Sequence, residues 1–193
     1  MHERTPAATL LLLRPGPDGV EPGQAGVEVA LLRRNPTLPF LGGFWVFPGG
    51  CCEPNESHRA AAAREAFEET GILLGSGAPP PDLAQARVDL IRSEPGRWEG
   101  EWEARGAELV PCGLWLTPPF SSQRFETRFF MGWAPELDRL APPPAEADPR
   151  GPELLEALWI RPAAALERWA LDEWFLAPPT RVTLEALVER DFL

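Results

Sequence analysis

One predicted helix carries three glutamates within a single turn. Residues 57–70 are mostly alanine, arginine and glutamate, which favour helix, and Gly71 suits the left-handed position that ends one. Residues three and four apart share a helix face, so Glu65, Glu68 and Glu69 project together. Three close carboxylates repel one another, and a hard divalent cation such as Mg²⁺ or Mn²⁺ relieves that repulsion because it prefers oxygen ligands. The spacing therefore predicts a metal site.

A solvated helix face is the alternative interpretation of this glutamate run, because runs of charge on helices commonly face water. A surface helix normally places an opposite charge four residues further on. No basic residue follows Glu68 or Glu69 before Gly71 ends the predicted helix. The cluster would cost stability without a ligand, which favours the metal site.

The three glutamates belong to a longer pattern that runs from Gly50 to Ile72. It reads G-x5-E-x7-R-E-x-x-E-E-x-G followed by an apolar residue, and every specified position is filled. The segment resembles the signature of the Nudix hydrolases, and its many fixed positions make the match far more specific than a short glycine motif. The resemblance implies an α/β fold, the Nudix α/β/α sandwich with a mixed sheet.

The same resemblance implies which groups hold the cation, Mg²⁺ or Mn²⁺. Glu65 and Glu69 are the expected principal ligands. Glu68 is expected on a further ion, and the carbonyl of Gly50 completes the coordination sphere. The catalytic residues that the resemblance implies are Glu65, Glu68, Arg64 and Glu56.

The implied reaction is hydrolysis of a diphosphate linkage in a small molecule, with the cation neutralising phosphate charge. Arg64 can reach back over little more than two helical turns to pair with Glu56 and orient the loop. A carboxylate must also take a proton from the attacking water, and the candidates are Glu65, Glu126, Glu153 and Glu156. The last two are favoured by their position just ahead of the last predicted strand. A plain salt bridge is the alternative for each candidate outside the signature.

Hydrophobic alternation and turn residues predict the other elements. The predicted strands are 8–14, 27–33, 44–47, 109–116, 124–133 and 158–160. The predicted helices are 57–70, 82–92, 98–105, 162–171 and 180–192. With the resemblance, residues 1–193 form a single Nudix domain that has a helical insertion after the signature, approximately 75–108, and a C-terminal helical addition, 162–193.

Arg124, Glu126 and Arg128 alternate along one predicted strand and therefore share a face. Such a face suits phosphate, so all three are candidate substrate-binding residues. A cross-strand ion network is an equally good interpretation. Trp98 and Trp102 lie four apart in the insertion, where packing on one helix face is favoured over stacking on an adenine ring.

Charge and cysteine content limit the partners and the compartment. The formal net charge is −11, which argues against nucleic acid and against an anionic membrane, because both require a basic patch. All 18 basic residues are arginine, whose planar fork suits phosphate. The apolar run 10–13 is far too short to span a bilayer. Three cysteines, two of them adjacent, give no disulfide framework, so we expect a cytoplasmic protein with no membrane segment.

Substrate choice depends on residues outside the signature. The stretch 46–50, the insertion and the segment 124–130 resemble the coenzyme A diphosphatase branch of the family, which implies coenzyme A or acyl-CoA. Nucleotide sugars and dinucleoside polyphosphates are alternatives. A non-catalytic nucleotide-binding Nudix module is another, but it predicts eroded glutamates, and the four glutamates of the signature are intact. A further hypothesis is a homodimer with the insertion or the C-terminal helices at its interface.

Overall fold

The computed structural model describes residues 4–16, 26–76, 78–92, 101–121, 123–135, 139–144, 147 and 151–189. Its strands are β1 (Thr5–Pro15), β2 (Val27–Arg34), β3 (Phe44–Val46), β4 (Gly49–Cys51), β5 (Val110–Leu116), β6 (Phe125–Trp133), β7 (Leu154–Ile160) and β8 (Phe175–Leu176). Its helices are α1 (His58–Thr70), α2 (Leu83–Ile91), α3 (Glu101–Arg105), α4 (Pro162–Ala170) and α5 (Pro178–Glu189). The predicted insertion therefore contains α2 and α3, and the predicted C-terminal addition contains α4 and α5.

The strands form one mixed sheet with the order β5-β6-β1-β2-β3-β8, and β4 and β7 pair with β1 and β2 respectively. β1 runs parallel to β6 and antiparallel to β2 and β4. This mixture of directions confirms the predicted mixed sheet. β1 lies at the centre, and it brings the glycines of β4 and the polar face of β6 onto its two sides.

Helices cover both faces of the sheet. Successive side chains of a strand point to opposite faces, so the leucine run of β1 feeds two cores. Leu10 packs with Phe67 of α1 on one face. Leu11 packs on the other face, where Leu184 of α5 completes the core. The α/β/α sandwich predicted from the sequence is therefore confirmed.

α1 begins and ends at residues that cap it. The Ser57 side chain accepts a hydrogen bond from the Ala60 N–H at 3.2 Å, and Gly71, at a φ of 79°, donates its N–H to the Phe67 carbonyl at 2.9 Å. The alanines at 60–63 are buried, with exposures of 0–2%. Their small side chains let the helix backbone lie close to β1. The glutamates of α1 are consequently held beside the sheet.

The packing interpretation of Trp102 is correct. Its ring lies in the core on the α1 face, with its centroid 6.0 Å from that of Phe67. The arginine three residues later, Arg105, is also buried and donates a hydrogen bond to the Leu74 carbonyl at 3.0 Å. Trp98 lies outside the described residues. α3 therefore ties the insertion to the helix that carries the glutamates.

Several predicted boundaries were wrong. β7 begins at Leu154, four residues before the predicted strand, because its first half pairs with the end of β2. Glu156 consequently lies in a strand, although we expected it in a loop. β4 and β8 were missed because strands of two or three residues, one of them glycine-rich, carry no alternation pattern. The last helix begins at Pro178, two residues before the predicted start, and its predicted end at 190–192 lies outside the described residues.

Two further observations concern the chain as a whole. Cys51, Cys52 and Cys112 are free thiols. In the described ranges, every helix is too short or too polar to cross a membrane.

Candidate functional site

The site is built where the C-terminal half of α1 meets β4. Glu69 accepts a hydrogen bond from the Gly49 N–H at 2.8 Å. The next glycine lies directly against another carboxylate, since a Cβ added at Gly50 would lie 2.6 Å from Cδ of Glu65. No side chain larger than hydrogen fits there without moving Glu65. Two glutamates of one helix face therefore contact the backbone of two consecutive glycines.

A buried arginine holds the remaining carboxylates. Arg64, with 6% of its side chain exposed, donates from Nε and Nη2 to the two carboxylate oxygens of Glu56, at 2.8 and 2.9 Å. Its Nη1 donates to Glu65 at 3.0 Å and to Glu68 at 3.1 Å. Nη2 also donates to the Cys51 carbonyl at 2.9 Å. One guanidinium thus joins the loop before α1, the helix face and the end of β4.

The Glu65, Glu68 and Glu69 side chains are largely shielded from water, and this burial raises their pKa values. Burial, and then the charge of Glu68, raise the pKa of Glu65 to about 7. Burial raises the pKa of Glu68 although Arg64 opposes the change. Burial, and then the charge of Glu65, raise the pKa of Glu69 well above its usual range. Three carboxylates share the Arg64 guanidinium and Glu69 lies beside them, which leaves an excess of negative charge in a poorly solvated place.

The side chains are not arranged as a preformed metal cage. In the described ranges, no group of three or more His, Cys, Asp and Glu side chains converges in the manner of metal ligands. The reason is local, because Glu65 and Glu68 are turned to Arg64 and Glu69 is turned to Gly49. All the donors are nevertheless oxygens within one turn of one helix and the adjoining glycine backbone. That is the donor set that Mg²⁺ and Mn²⁺ prefer.

Two further charged residues reach the cluster from the side of the sheet, Arg34 at the end of β2 and Glu153 just before β7. They form an ion pair with an N–O distance of 2.7 Å. Both act on Glu69, whose pKa is raised by the charge of Glu153 and lowered by that of Arg34. Glu153 was a candidate base, whereas sequence reasoning missed Arg34. The only available signal was its position at the end of an apolar strand.

The other candidate bases lie in different surroundings. Glu156 accepts a hydrogen bond from Arg33 at 2.6 Å on the exposed side of β2 and β7. Glu126 lies on β6, 3.9 Å from Arg128, and both side chains are about half exposed. The charge of Glu153 is among the main causes of the raised pKa of Glu69, whereas those of Glu156 and Glu126 are not. Of the three candidates outside the signature, Glu153 is therefore the one that the structure brings to the cluster.

The predicted substrate face is a real face of β6, although it begins just before the strand. Glu126 pairs with Pro6 and Arg128 pairs with Ala8 across the β1–β6 ladder. Because Ala8 in turn pairs with Gly50, Arg128 lies in the same row of the sheet as the glycine at the cluster. Arg124 precedes β6, and its carbonyl accepts a hydrogen bond from the Thr5 N–H at 2.9 Å. A role for this face in substrate binding stays a prediction.

Comparison with known proteins supports the same family along nearly the whole chain. A family model for the NUDIX domain matches residues 6–178. The acyl-coenzyme A diphosphatase NUDT19 of Homo sapiens is 30% identical over 171 residues, which cover 75% of this chain and 42% of that protein. NUDT19 of Gallus gallus is 31% identical over 160 residues, which cover 68% of this chain and 41% of that protein. The chain therefore spans less than half the length of these two relatives.

A solved structure resembles the whole chain. The crystal structure of a NUDIX hydrolase from Alicyclobacillus acidocaldarius matches with a TM-score of 0.75 and 30% identity, covering 98% of this chain and 93% of that one. The family model, this structure and the intact signature at the α1–β4 junction agree. The chain belongs to the Nudix hydrolase family.

Proposed function

We propose that this chain is a Mg²⁺-dependent pyrophosphohydrolase, with Mn²⁺ as the alternative cation. Its substrate is a small molecule with a diphosphate linkage to a nucleoside, and coenzyme A or acyl-CoA is the first candidate. The observation that carries the proposal is the buried carboxylate cluster packed against Gly50. Clustered, desolvated carboxylates beside a glycine backbone are costly in a purely structural role and are suited to a cation that binds phosphate.

The residues of the cluster fit a magnesium site. Glu65, Glu69 and the Gly50 carbonyl would be its principal ligands, with Glu68 on a further ion. Arg64 would keep its two hydrogen bonds to Glu56 and its hydrogen bond to the Cys51 carbonyl. The loop between β4 and α1 would therefore stay in place. When bound, the cation would neutralise the diphosphate and lower the pKa of the attacking water.

Glu153 is the residue that we propose as the general base. It lies outside the helix face that carries the proposed ligands, yet its charge raises the pKa of Glu69. Glu153 forms an ion pair with Arg34, and 49% of the Glu153 side chain remains accessible to water. A carboxylate in that position can accept a proton while Arg34 orients it. Glu65 remains the alternative base from within the signature.

The choice of coenzyme A follows from similarity to NUDT19 proteins, which are acyl-coenzyme A diphosphatases. Nucleotide sugars and dinucleoside polyphosphates remain the alternative substrates. A non-catalytic nucleotide-binding module is the alternative of another class. It is disfavoured because the glutamates are intact and Arg64 holds them together. The homodimer and the cytoplasmic location stay predictions from the sequence.

The first prediction concerns Glu69→Gln, assayed with coenzyme A, acetyl-CoA, ADP-ribose, a nucleotide sugar and a dinucleoside tetraphosphate at millimolar Mg²⁺. The native chain should hydrolyse at least one of them, with coenzyme A or acetyl-CoA fastest. Loss of a principal ligand should lower kcat by roughly two to three orders of magnitude, because the cation supplies several kcal/mol to the transition state. Phosphomonoester release, measured chromatographically, is the readout.

Glu167→Gln on the exposed face of α4 is the matched control for Glu69→Gln, and it should hydrolyse the substrate as the native chain does. Magnesium should also raise the melting temperature of the native chain and the control, because a ligand that binds only the folded state stabilises it. Full activity of Glu69→Gln would contradict the metal assignment. No hydrolysis of any compound by the native chain would favour the non-catalytic module.

The second prediction concerns Gly50→Ala. The three atoms nearest to the added Cβ all belong to the Glu65 carboxylate, the end of a flexible side chain, so the protein should fold with little loss of stability while Glu65 moves aside. We expect the apparent Mg²⁺ affinity to fall by roughly 10- to 100-fold, as when the support of a metal ligand is removed. Melting curves over a Mg²⁺ titration measure both quantities.

Gly113→Ala is the control for this substitution, since its Cβ would make an ordinary 3.5 Å contact with Phe129 Cβ. It should keep the native Mg²⁺ response. If Gly50→Ala had the native Mg²⁺ affinity, the Glu65 carboxylate would not bind the cation from its position against Gly50.

The third prediction separates the two carboxylates ahead of and within β7. Glu153→Gln should lower kcat by about 10²- to 10⁴-fold while leaving the Mg²⁺-induced melting shift intact, since a base contributes to proton transfer and not to metal affinity. Glu156→Gln breaks only an exposed ion pair, so it should change kcat little. Equal effects of the two substitutions would remove Glu153 from the base position and leave Glu65 in it.

A further inference from the structure

A pocket of about 570 Å³ opens at the N-terminal end of α1, away from the glutamate cluster. Its walls come from α1, α3, β5 and β6. Its apolar lining includes Leu114 of β5, which is exposed, and the largely buried ring of Phe130 of β6. Pockets of this size, mostly apolar and with a few polar groups, are typical of small-molecule sites.

Two arginines line this pocket, one from α1 and one from β6. Arg59 of α1 donates from Nε to the Leu109 carbonyl at 3.1 Å, and its guanidinium lies 5.9 Å from the centroid of the Phe130 ring. Within the described residues, Arg59 has no carboxylate partner. Arg128 of β6 is 55% exposed, and its nearest carboxylate is that of Glu126 at 3.9 Å, a distance that contributes little at the surface. In a chain with a net charge of −11, two such arginines at one pocket are unusual.

One carboxylate also lines the pocket, but it is already engaged. Glu103 of α3 accepts hydrogen bonds from the Ser57 N–H at 3.1 Å and from the Ser57 hydroxyl at 2.7 Å. Those bonds hold the capping residue of α1 and direct the carboxylate to the helix end. Glu103 therefore lowers the positive charge of the pocket without pairing with either arginine.

A histidine contributes an unused polar atom to the same pocket. Nε2 of His58 is buried and finds no hydrogen-bond partner in the described part of the chain. Burial, and then the charge of Arg128, lower the pKa of His58, so its ring is neutral near pH 7. A neutral imidazole can still donate one hydrogen bond from Nε2. A buried polar nitrogen without a partner is costly, and in the tautomer that carries the proton on Nε2 an oxygen of a ligand would satisfy it.

The pocket is separate from Glu65, Glu68 and Glu69, the glutamates proposed as cation ligands, although Glu56, which pairs with Arg64, directly precedes the pocket residue Ser57. His58 precedes Glu65 by seven residues, which is about 10 Å along a helix. Along that length the alanines at 60–63 are buried against the sheet, so the interior side of α1 offers no open channel between the two places. The two sites share the helix and no side chain.

We propose that this pocket is a second binding site, which takes a phosphomonoester carrying an apolar or aromatic group. Arg59, Arg128 and His58 would hold the phosphate, because arginine forks and an N–H donor match its oxygens. The apolar group would lie on Leu114 and Phe130. The proposal goes beyond the proposed hydrolysis, because the site needs no metal and none of the signature carboxylates.

The experiment uses the whole ¹⁵N-labelled chain in EDTA, with AMP as the probe. The chain has only two histidines, His2 and His58, so the imidazole region of the NMR spectrum is simple to assign. AMP should shift the His58 signal. Adenosine, ribose 5-phosphate and inorganic phosphate should each bind more weakly than AMP. Adenosine lacks the phosphate, and the other two lack the adenine ring.

Arg128→Ala should weaken AMP binding by roughly tenfold or more, because it removes a charge-assisted contact. It should fold normally, since the side chain is 55% exposed. Arg168→Ala, on α4 in an exposed pair with Glu173, is the matched control and should bind AMP as the native chain does. Glu69→Gln should also keep the His58 shift, which separates this site from the metal site.

An unmoved His58 signal at millimolar AMP would overturn the proposal, as would equal binding by Arg128→Ala and the native chain. AMP binding that Glu69→Gln abolishes would assign the ligand to the glutamate cluster instead. Failure of the hydrolysis assay together with a His58 shift would leave the pocket standing and remove only the proposed function.

Discussion

The guanidinium of Arg64 organises the site on which the proposed chemistry depends. It is buried, and it reaches Glu56 before the helix, Glu65 and Glu68 on the helix and the Cys51 carbonyl of β4. Burial alone would lower its pKa, but the hydrogen bond to Glu56 and the surrounding carboxylates raise it. The arginine is therefore always charged, and it fixes the loop between β4 and α1 at both ends. A lysine could not make these divergent contacts from one planar group.

Arg64 neutralises only part of the negative charge of the cluster. The charge that remains is what a bound cation would neutralise. Three carboxylates share the Arg64 guanidinium, Glu69 lies beside Gly49, and burial raises the pKa values of Glu65, Glu68 and Glu69. Gly50 leaves space for the Glu65 carboxylate, and Gly49 supplies an N–H to Glu69. A divalent cation would offset the excess charge through the same oxygens. The structural cost of the cluster and its proposed use in hydrolysis thus have one electrostatic origin.

Local patterns predicted α1 to within a residue and its end at Gly71, because helix propensity and a left-handed glycine act over short distances, whereas the structure shows that Ser57 is the N-terminal cap and not the first helical residue. The central strands and the α/β class were also predictable from apolar runs. The contact between Arg34 and Glu153 was not, because it depends on β2 and β7 pairing from distant parts of the chain. The pocket at the start of α1 was hidden for the same reason, since four elements supply its walls. Short strands such as β4 are defined by their partners and not by their own pattern.

The central claim is that Glu65, Glu69 and the Gly50 carbonyl form one cation site on α1 and β4. The most direct test is an anomalous difference map from crystals grown with Mn²⁺, collected on the native chain at a wavelength where manganese scatters anomalously. We expect the strongest peak within about 2.0–2.5 Å of those three groups, with the Arg64–Glu56 pair intact beside it. A peak elsewhere on the chain, or none at the α1–β4 junction, would contradict the account.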